Sequence, residues 1–308
     1  MVSIVIITYN RSKLLLKTLK SILSQSVKDL EILVIDDGSD DDTFDMINSL
    51  NDMRIKYFNF GRIGNLSKLR NLGIKHSSYD LIAFCDDDDL WYPDKLKKQM
   101  IFMDKYEFVC SNAAVIDIND NIIKEKYFDD IYSTFEIDRI FLLSQGNCIL
   151  TSSCLVNKKI FTESNEYFDE LKFTNYCEDY ELFIRLTKNY KILFIDENLI
   201  LKREHASVSG GLDNILKMLK TSIDILNLYR SIELNLPDSL PIEGILGFKI
   251  LRIKYAFKKN IFTGISESTN FIVFLMGKGV LSVFIKKKVA RKIRKILNIN
   301  HSNLQTEK

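Results

Sequence analysis

The strongest constraint on the fold is a series of short apolar runs that alternate with amphipathic helical stretches and end in polar clusters. Residues 2–7 are dominated by Val and Ile with no in/out alternation, which predicts a strand buried on both faces. Residues 31–36 and 80–85 read the same way. Between them, residues 11–24 place Leu15, Leu19, Ile22 and Leu23 on one helical stripe. Ser39 and Asp42 look like a capping box opening a helix that runs to Leu50. Residues 54–60 alternate like a shorter strand, and residues 66–75 carry a helical pattern through Leu66, Leu69 and Leu72. Pro93 then suits the first turn of a helix, with Asp94 favouring its positive end. Strand–helix alternation at this spacing predicts an α/β fold: an open, mostly parallel sheet with helices on both faces. Ligands bind such sheets beyond the carboxyl ends of the strands. Three strands end in polar clusters, residues 8–11, 36–39 and 86–89, so the topology converges them on one crevice.

After Glu107 the pattern changes. Residues 107–118 and 122–127 read as strands around a turn at 119–121. Residues 135–143 read as a helix, followed by an irregular stretch around Gly146. A helix over 180–189, a strand over 191–196 and a longer helix over 213–233 complete the pattern. Pro237 and Pro241 make residues 235–243 the best boundary candidate. With three prolines and 12 glycines in 308 residues, long disordered linkers are not expected.

The chemistry centres on four consecutive aspartates, Asp86 to Asp89, set between an apolar run ending at Cys85 and the pair Leu90 and Trp91. Like charges this close repel, and each is costly to hold ionised near a core. Either water solvates the cluster, as in an acidic helix cap, or a hard cation such as Mg²⁺ or Mn²⁺ neutralises it. The apolar flanks favour the cation. Trp91, just after the aspartates, reads as a wall under this loop rather than a ligand platform. The sequence contains no GxGxxG, GxxxxGK[ST], GxSxG or HExxH pattern, which removes support for nucleotide-loop, serine-hydrolase and zincin readings.

Several blocks in order resemble the family 2 glycosyltransferases with a GT-A fold. Residues 2–11 and 34–43 are similar to that family's opening, residues 69–74 to its next block, and residues 84–96 to its DxD block. Residues 178–186 resemble its acceptor-side Glu-Asp segment, and Arg203, His205, Ser207 and Ser209 an ending found in bacterial members. The resemblance implies a GT-A catalytic domain over 1–210 and a helical, basic extension over 211–308. It also implies inverting transfer of a sugar from a nucleotide-diphosphate donor, expected to be UDP-linked, to a hydroxyl of a growing surface glycan, with a lipid-carrier-linked glycan as one form of that acceptor. Breaking that donor bond leaves two negative phosphates, whose charge a bridging Mn²⁺ or Mg²⁺ offsets. Asp88 is implied as the direct metal ligand and Asp86 as the residue nearer the ribose or a metal water, with His205 a metal or phosphate contact. The run of four allows a register one residue away, and Asp87 joins the nucleotide-binding set. Thr8, Asn10, Arg11, Asp37 and Arg70 are implied on the nucleotide-sugar side, with helix capping as the alternative for Asn10. Asp179 is implied as the general base that takes the acceptor proton, with Glu178 orienting it or binding acceptor. Two other readings stay open: a metal-binding regulatory α/β domain, and a catalytically inactive nucleotide-sugar-binding homologue.

Charge is unevenly distributed. Residues 244–298 hold 13 of the 43 Lys and Arg and one acid, Glu267, so this stretch carries +12 against −10 for the rest. Residues 283–297 place Ile285, Val289, Ile293 and Ile296 on one stripe with basic residues elsewhere, the pattern of an interfacial helix attracted to an anionic membrane surface. The alternative is a helical appendage docked on protein. No aromatic residue interleaves with the basic ones between Lys286 and Lys295, so nucleic acid is not an expected partner. Five cysteines with no CxxC spacing fit reduced thiols. The amino-terminal segment has no basic leader and runs straight into a strand-like stretch. The expected location is therefore the cytoplasm, peripheral on the inner membrane face. Removing the residues after Gly244 is expected to shift the protein from membrane to soluble fractions on flotation with anionic vesicles. Undiminished vesicle binding would assign the membrane contact elsewhere.

Overall fold

The computed structural model describes residues 1–129, 131–204, 212–232 and 267. The chain divides into a unit of residues 1–248 and a unit of residues 249–308. The expected boundary over 235–243 and the interfacial helix over 283–297 lie outside the described residues.

Four strands open the fold: β1 (Val2–Thr8), β2 (Leu30–Asp36), β3 (Ile55–Asn59) and β4 (Leu81–Asp86). They are joined by helices α1 (Ser12–Leu23), α2 (Thr43–Ser49) and α3 (Leu66–His76). β5 (Leu90–Trp91), α4 (Lys95–Met100), β6 (Phe108–Ile116) and β7 (Ile122–Lys124) follow. The remaining elements are β8 (Phe135–Ile137), α5 (Arg139–Gln145), β9 (Leu155–Asn157), α6 (Lys159–Thr162), α7 (Glu178–Leu186), β10 (Ile192–Arg203) and α8 (Leu212–Ile232). One sheet takes up all the strands in the order β3-β2-β1-β4-β9-β6-β10-β5, with β7 on β6 and β8 on β10.

β1 lies parallel between β2 and β4, with Thr8 opposite Asp36 and Ile7 opposite Asp86. The three strands therefore end level, which brings the three polar clusters to one edge. Val2, Ile4 and Ile6 share a core with Leu15, Leu19 and Ile22 of α1, whose spacing makes one buried helical stripe. Val5, pointing to the opposite face of the sheet, meets α3 at Gly73. A Cβ at Gly73 would come within 2.2 Å of Val5 Cγ1, so the helix can approach the sheet this closely only without a side chain there.

Three local expectations change. α2 does not open with a capping box. Ser39 Oγ donates to Asp36, Asp42 accepts from Ser12 Oγ, and Asp41 accepts the Thr43 N–H at 3.1 Å. Those side chains are drawn instead to the end of β2, to the start of α1 and into the loop itself, and the helix starts at Thr43. The helix expected over 135–143 is split. Phe135–Ile137 pairs antiparallel with β10, and Asp138 caps α5 by accepting the Phe141 N–H at 2.6 Å, which fixes the helix start after it. The strand expected over 191–196 runs on to Arg203, because register shifts between Ile195 and Ile200 absorb the polar residues at its expected end.

Gly73→Ala is expected to cost about 1–3 kcal/mol in urea unfolding, although alanine is the better helix former. Val5→Ala in the same chain should recover part of the loss. A neutral Gly73→Ala would contradict the close approach of α3.

Candidate active site

The aspartate turn leaves β4 at Asp86, where the side chain is 37% exposed, and returns into β5. The Asp89 N–H reaches the Asp86 carbonyl at 3.3 Å. Three other segments hold it. The buried Thr18 hydroxyl on α1 lies 3.0 and 2.8 Å from the Asp87 and Asp89 carbonyl oxygens. Ser152, in a 3₁₀ turn over Thr151–Ser153, donates to Asp89 Oδ2 at 2.5 Å and accepts the Asp86 N–H at 3.0 Å. Arg203 at the end of β10 donates its N–H to Asp89 Oδ1 at 2.9 Å and its Nε to the Asp88 carbonyl at 2.8 Å.

Three more cations answer the charge. Arg11 Nη1 lies 2.9 Å from both Asp87 Oδ1 and Asp88 Oδ2. Lys202 Nζ lies 3.2 Å from Asp86 Oδ2 and 3.1 Å from Asp89 Oδ2. Arg70 on α3 pairs with Glu178 and stands 3.7 Å from Asp86 Oδ1. Thr8 donates to Asp87 Oδ2 at 2.8 Å. Burial pushes Asp87 up to about 7 against the pull of Arg11, and pushes Asp89 up to about 7 against the pull of Lys202. Desolvation would raise Asp86 too, but Lys202 and Arg70 outweigh it and hold this carboxyl below its ordinary value. For Lys202, burial favours the neutral amine, yet Asp89 and Asp86 hold it well above the usual lysine range.

Asp86, Asp88 and Asp89 can each offer one carboxylate oxygen, all within 4.8 Å of one another. An all-oxygen, carboxylate donor set fits a hard divalent cation such as Mg²⁺ or Mn²⁺. Asp89 is the most committed member, since its oxygens already accept from Arg203, Ser152 and Lys202. His205, the other expected metal contact, lies outside the described residues.

On the β1 and β2 side, Asp37 is engaged by the neighbouring loop. It accepts N–H groups from Ile63 at 2.6 Å and Gly64 at 3.0 Å, and pairs with Arg62. The Arg62 guanidinium stacks 3.8 Å above the centre of the Tyr9 ring. Gly38 has φ +80°, and a Cβ on it would meet the Arg62 backbone nitrogen at 2.6 Å, so only glycine fits this crossing. Asn10, at φ +52°, does not cap α1. Its side chain is paired with Asp40, donating at 2.6 Å and accepting the Asp40 N–H at 2.9 Å. Asn10 thus latches the end of β1 to the loop after β2. Trp91 is buried at 3% exposure, under the ammonium of Lys95, as a wall would be.

α7 opens with Glu178 and Asp179 directly after Cys177, which turns in the left-handed region at φ +58°. Thr151 donates to Asp179 Oδ2 at 2.8 Å. Burial raises the pKa of Glu178, against the pull of Arg70, and likewise that of Asp179. Arg70 thus ties α7 to the aspartate turn, although Glu178 lies 108 residues along the chain from it. Thr18, Thr151, Ser152 and Lys202 belong to this site and carried no sequence signal of their own. Lys202 was detectable only through its neighbour Arg203, and only once β10 was known to extend that far.

The model of glycosyl transferase family 2 matches residues 3–164. An uncharacterized glycosyltransferase of Rickettsia felis is 32% identical over 228 residues, which is 74% of this chain and 36% of that protein. The chain therefore spans little more than a third of that relative's length. WfgD of Escherichia coli, a UDP-Glc:alpha-D-GlcNAc-diphosphoundecaprenol beta-1,3-glucosyltransferase, is 30% identical over 228 residues, 73% of this chain and 85% of its own. The crystal structure of S. aureus TarS 1-349 in complex with UDP-GlcNAc matches with a TM-score of 0.62 at 17% identity, over 88% of this chain and 80% of that one. The chain belongs to glycosyl transferase family 2, and its fold is GT-A.

Arg70→Met leaves Glu178 buried without its cation and is expected to cost about 3–5 kcal/mol in urea unfolding. The pair Arg70→Met with Glu178→Met should recover most of that loss. A single substitution costing under about 1 kcal/mol would mean the ion pair does not brace α7.

Proposed function

We propose that this member of the family transfers a sugar, with inversion, from a UDP-sugar to a hydroxyl of a growing glycan carried on a lipid diphosphate. The UDP and UDP-GlcNAc complexes of TarS support the donor class. WfgD, by its name a glucosyltransferase of a diphosphoundecaprenol-linked sugar, supports the acceptor class. The observation that carries the proposal is the chain of carboxylates and cations from Asp86 through Arg70 to Glu178. It sets a second acidic group, Asp179, beside the aspartate turn. A regulatory domain that merely held a cation would have no use for that second group.

In this reading the acceptor hydroxyl gives its proton to Asp179 as its oxygen attacks the donor's anomeric carbon. The carbon–oxygen bond to the nucleoside diphosphate breaks on the opposite face, so the anomeric configuration inverts. Burial raises the Asp179 pKa, which makes it a stronger base than an ordinary carboxylate. Thr151 Oγ1, donating at 2.8 Å, fixes its orientation. A divalent cation held by Asp86 and Asp88 would offset charge on the departing diphosphate as a Lewis acid. Arg11, held between Asp87 and Asp88, would add a protein cation beside the same group. Thr8 holds Asp87 in place, while Asp37 and Asn10 shape the nucleotide side by fixing the loops around Tyr9. Glu178 and Arg70 act on the reaction by positioning. No helix among the described residues is long and apolar enough to cross a membrane. The basic stretch over 244–298 is the proposed contact with an anionic membrane surface, which would bring a lipid-linked acceptor within reach.

Two variants separate binding from chemistry in a donor screen scored by nucleotide release with and without acceptor. Asp179→Asn is expected to keep UDP binding and to lower transfer by at least 10²-fold, the lower end for a general base. Asp88→Ala is expected to weaken Mn²⁺-dependent nucleotide binding. Unimpaired turnover in Asp179→Asn would remove that residue from the mechanism, and unchanged affinity in Asp88→Ala would remove the cation from the turn.

A further inference from the structure

Lys202 has no part in the reading above, yet its ammonium sits on two of the three carboxylates that could hold a cation. Nζ is 3.2 Å from Asp86 Oδ2 and 3.1 Å from Asp89 Oδ2. Those two acids and Asp88 are the group whose oxygens gather within 4.8 Å. A monovalent ammonium and a hard divalent ion would therefore draw on the same two carboxylates, and their like charges repel.

The charged groups of the other cations around the turn hydrogen-bond to partners other than the Asp86 and Asp89 carboxylates. Arg203 donates to the Asp88 and Asp117 carbonyls and pairs with Asp120. Arg70 is paired with Glu178, and Arg11 bridges Asp87 to Asp88. Among the described residues, the Lys202 ammonium makes its hydrogen bonds to Asp86 and Asp89 alone, so moving it breaks no other hydrogen bond. Its side chain is 24% exposed, which leaves the flexible stem a way toward water. Asp89 has no exposed side-chain surface and would be a costly buried charge without a counter-ion.

We propose that Lys202 is the resident counter-ion of the aspartate turn, holding Asp86 and Asp89 until a divalent cation arrives with the nucleotide and takes its place. Lys202 thereby sets how tightly the free protein binds that cation. It makes the turn weakly receptive to the metal alone and receptive when diphosphate charge is added. The proposal rests on the assignment of the cation to Asp86 and Asp88, and its test keeps the two apart.

Mn²⁺ binding to the full chain, read from the electron paramagnetic resonance of the free ion without nucleotide, is compared for wild type, Lys202→Met, Lys202→Arg and Asp88→Ala. Lys202→Met is expected to bind Mn²⁺ at least ten-fold more tightly than wild type. Lys202→Arg, which keeps the charge, should stay within a few-fold of wild type. Equal or weaker binding in Lys202→Met, with binding lost in Asp88→Ala, overturns the counter-ion role and leaves the cation assignment standing. Wild-type binding that survives in Asp88→Ala puts the ion elsewhere and overturns both. Should Lys202→Met fail to fold, the wild-type protein decides the question by ¹⁵N lysine NMR. The Lys202 ammonium signal, assigned by its absence in Lys202→Arg, should move to a solvent-exchanging position on adding Mg²⁺ and UDP. A signal unmoved by saturating Mg²⁺ and UDP overturns the proposal.

Discussion

Four adjacent carboxylates at the end of a buried strand cannot stand without counter-charge, and much of the fold is arranged to supply it. Asp87 and Asp89 are almost wholly buried, and each would be driven toward its neutral form if left alone. The partners come from separate parts of the chain: Arg11 after β1, Thr18 on α1, Arg70 on α3, Ser152 in the 3₁₀ turn, and Lys202 and Arg203 on β10. Each of these elements must be packed correctly before the turn is satisfied. The site is for that reason a consequence of the core as a whole rather than of one loop.

That dependence explains the geometry of the sheet. β1, β2 and β4 end level because they pair in parallel register, and α3 lies close enough to present Arg70 because Gly73 lets it settle on Val5. Arg70 then carries the demand for charge one step further, to Glu178, and with it the start of α7. Asp179 is next in the chain, its carboxyl raised by the same burial. A cluster that needs cations and a helix start that carries two further acids are thus joined by a single guanidinium.

The first half of this arrangement was legible in the sequence because its signals are local. Apolar runs mark β1, β2 and β4, the stripe of Leu15, Leu19 and Ile22 marks α1, and the run of aspartates marks the turn. The second half depends on contacts far apart in the chain. Nothing near Lys202 announces that β10 continues through a bulge to deliver it to Asp86 and Asp89. Nothing near Thr151 or Ser152 announces that a 3₁₀ turn carries both hydroxyls to acids on different elements. Phe135 and Ile137 suit a helix as well as a strand, and only the cap at Asp138 and the pairing with β10 decide between them. Asp37 and Asn10 show a different limit. Their residue types suit nucleotide contacts, and nothing near them announces that the same side chains also tie together the loops after β1 and β2.

The proposed seat for a divalent cation against a nucleotide diphosphate is the aspartate turn. The most direct measurement is anomalous scattering from crystals of the full chain soaked with MnCl₂ and UDP. A manganese peak coordinated by Asp86 and Asp88 and by the UDP diphosphate is expected, with Lys202 moved off Asp86. A bound UDP whose diphosphate lies away from the turn, or a turn with no manganese peak and Lys202 still in place, would contradict that assignment.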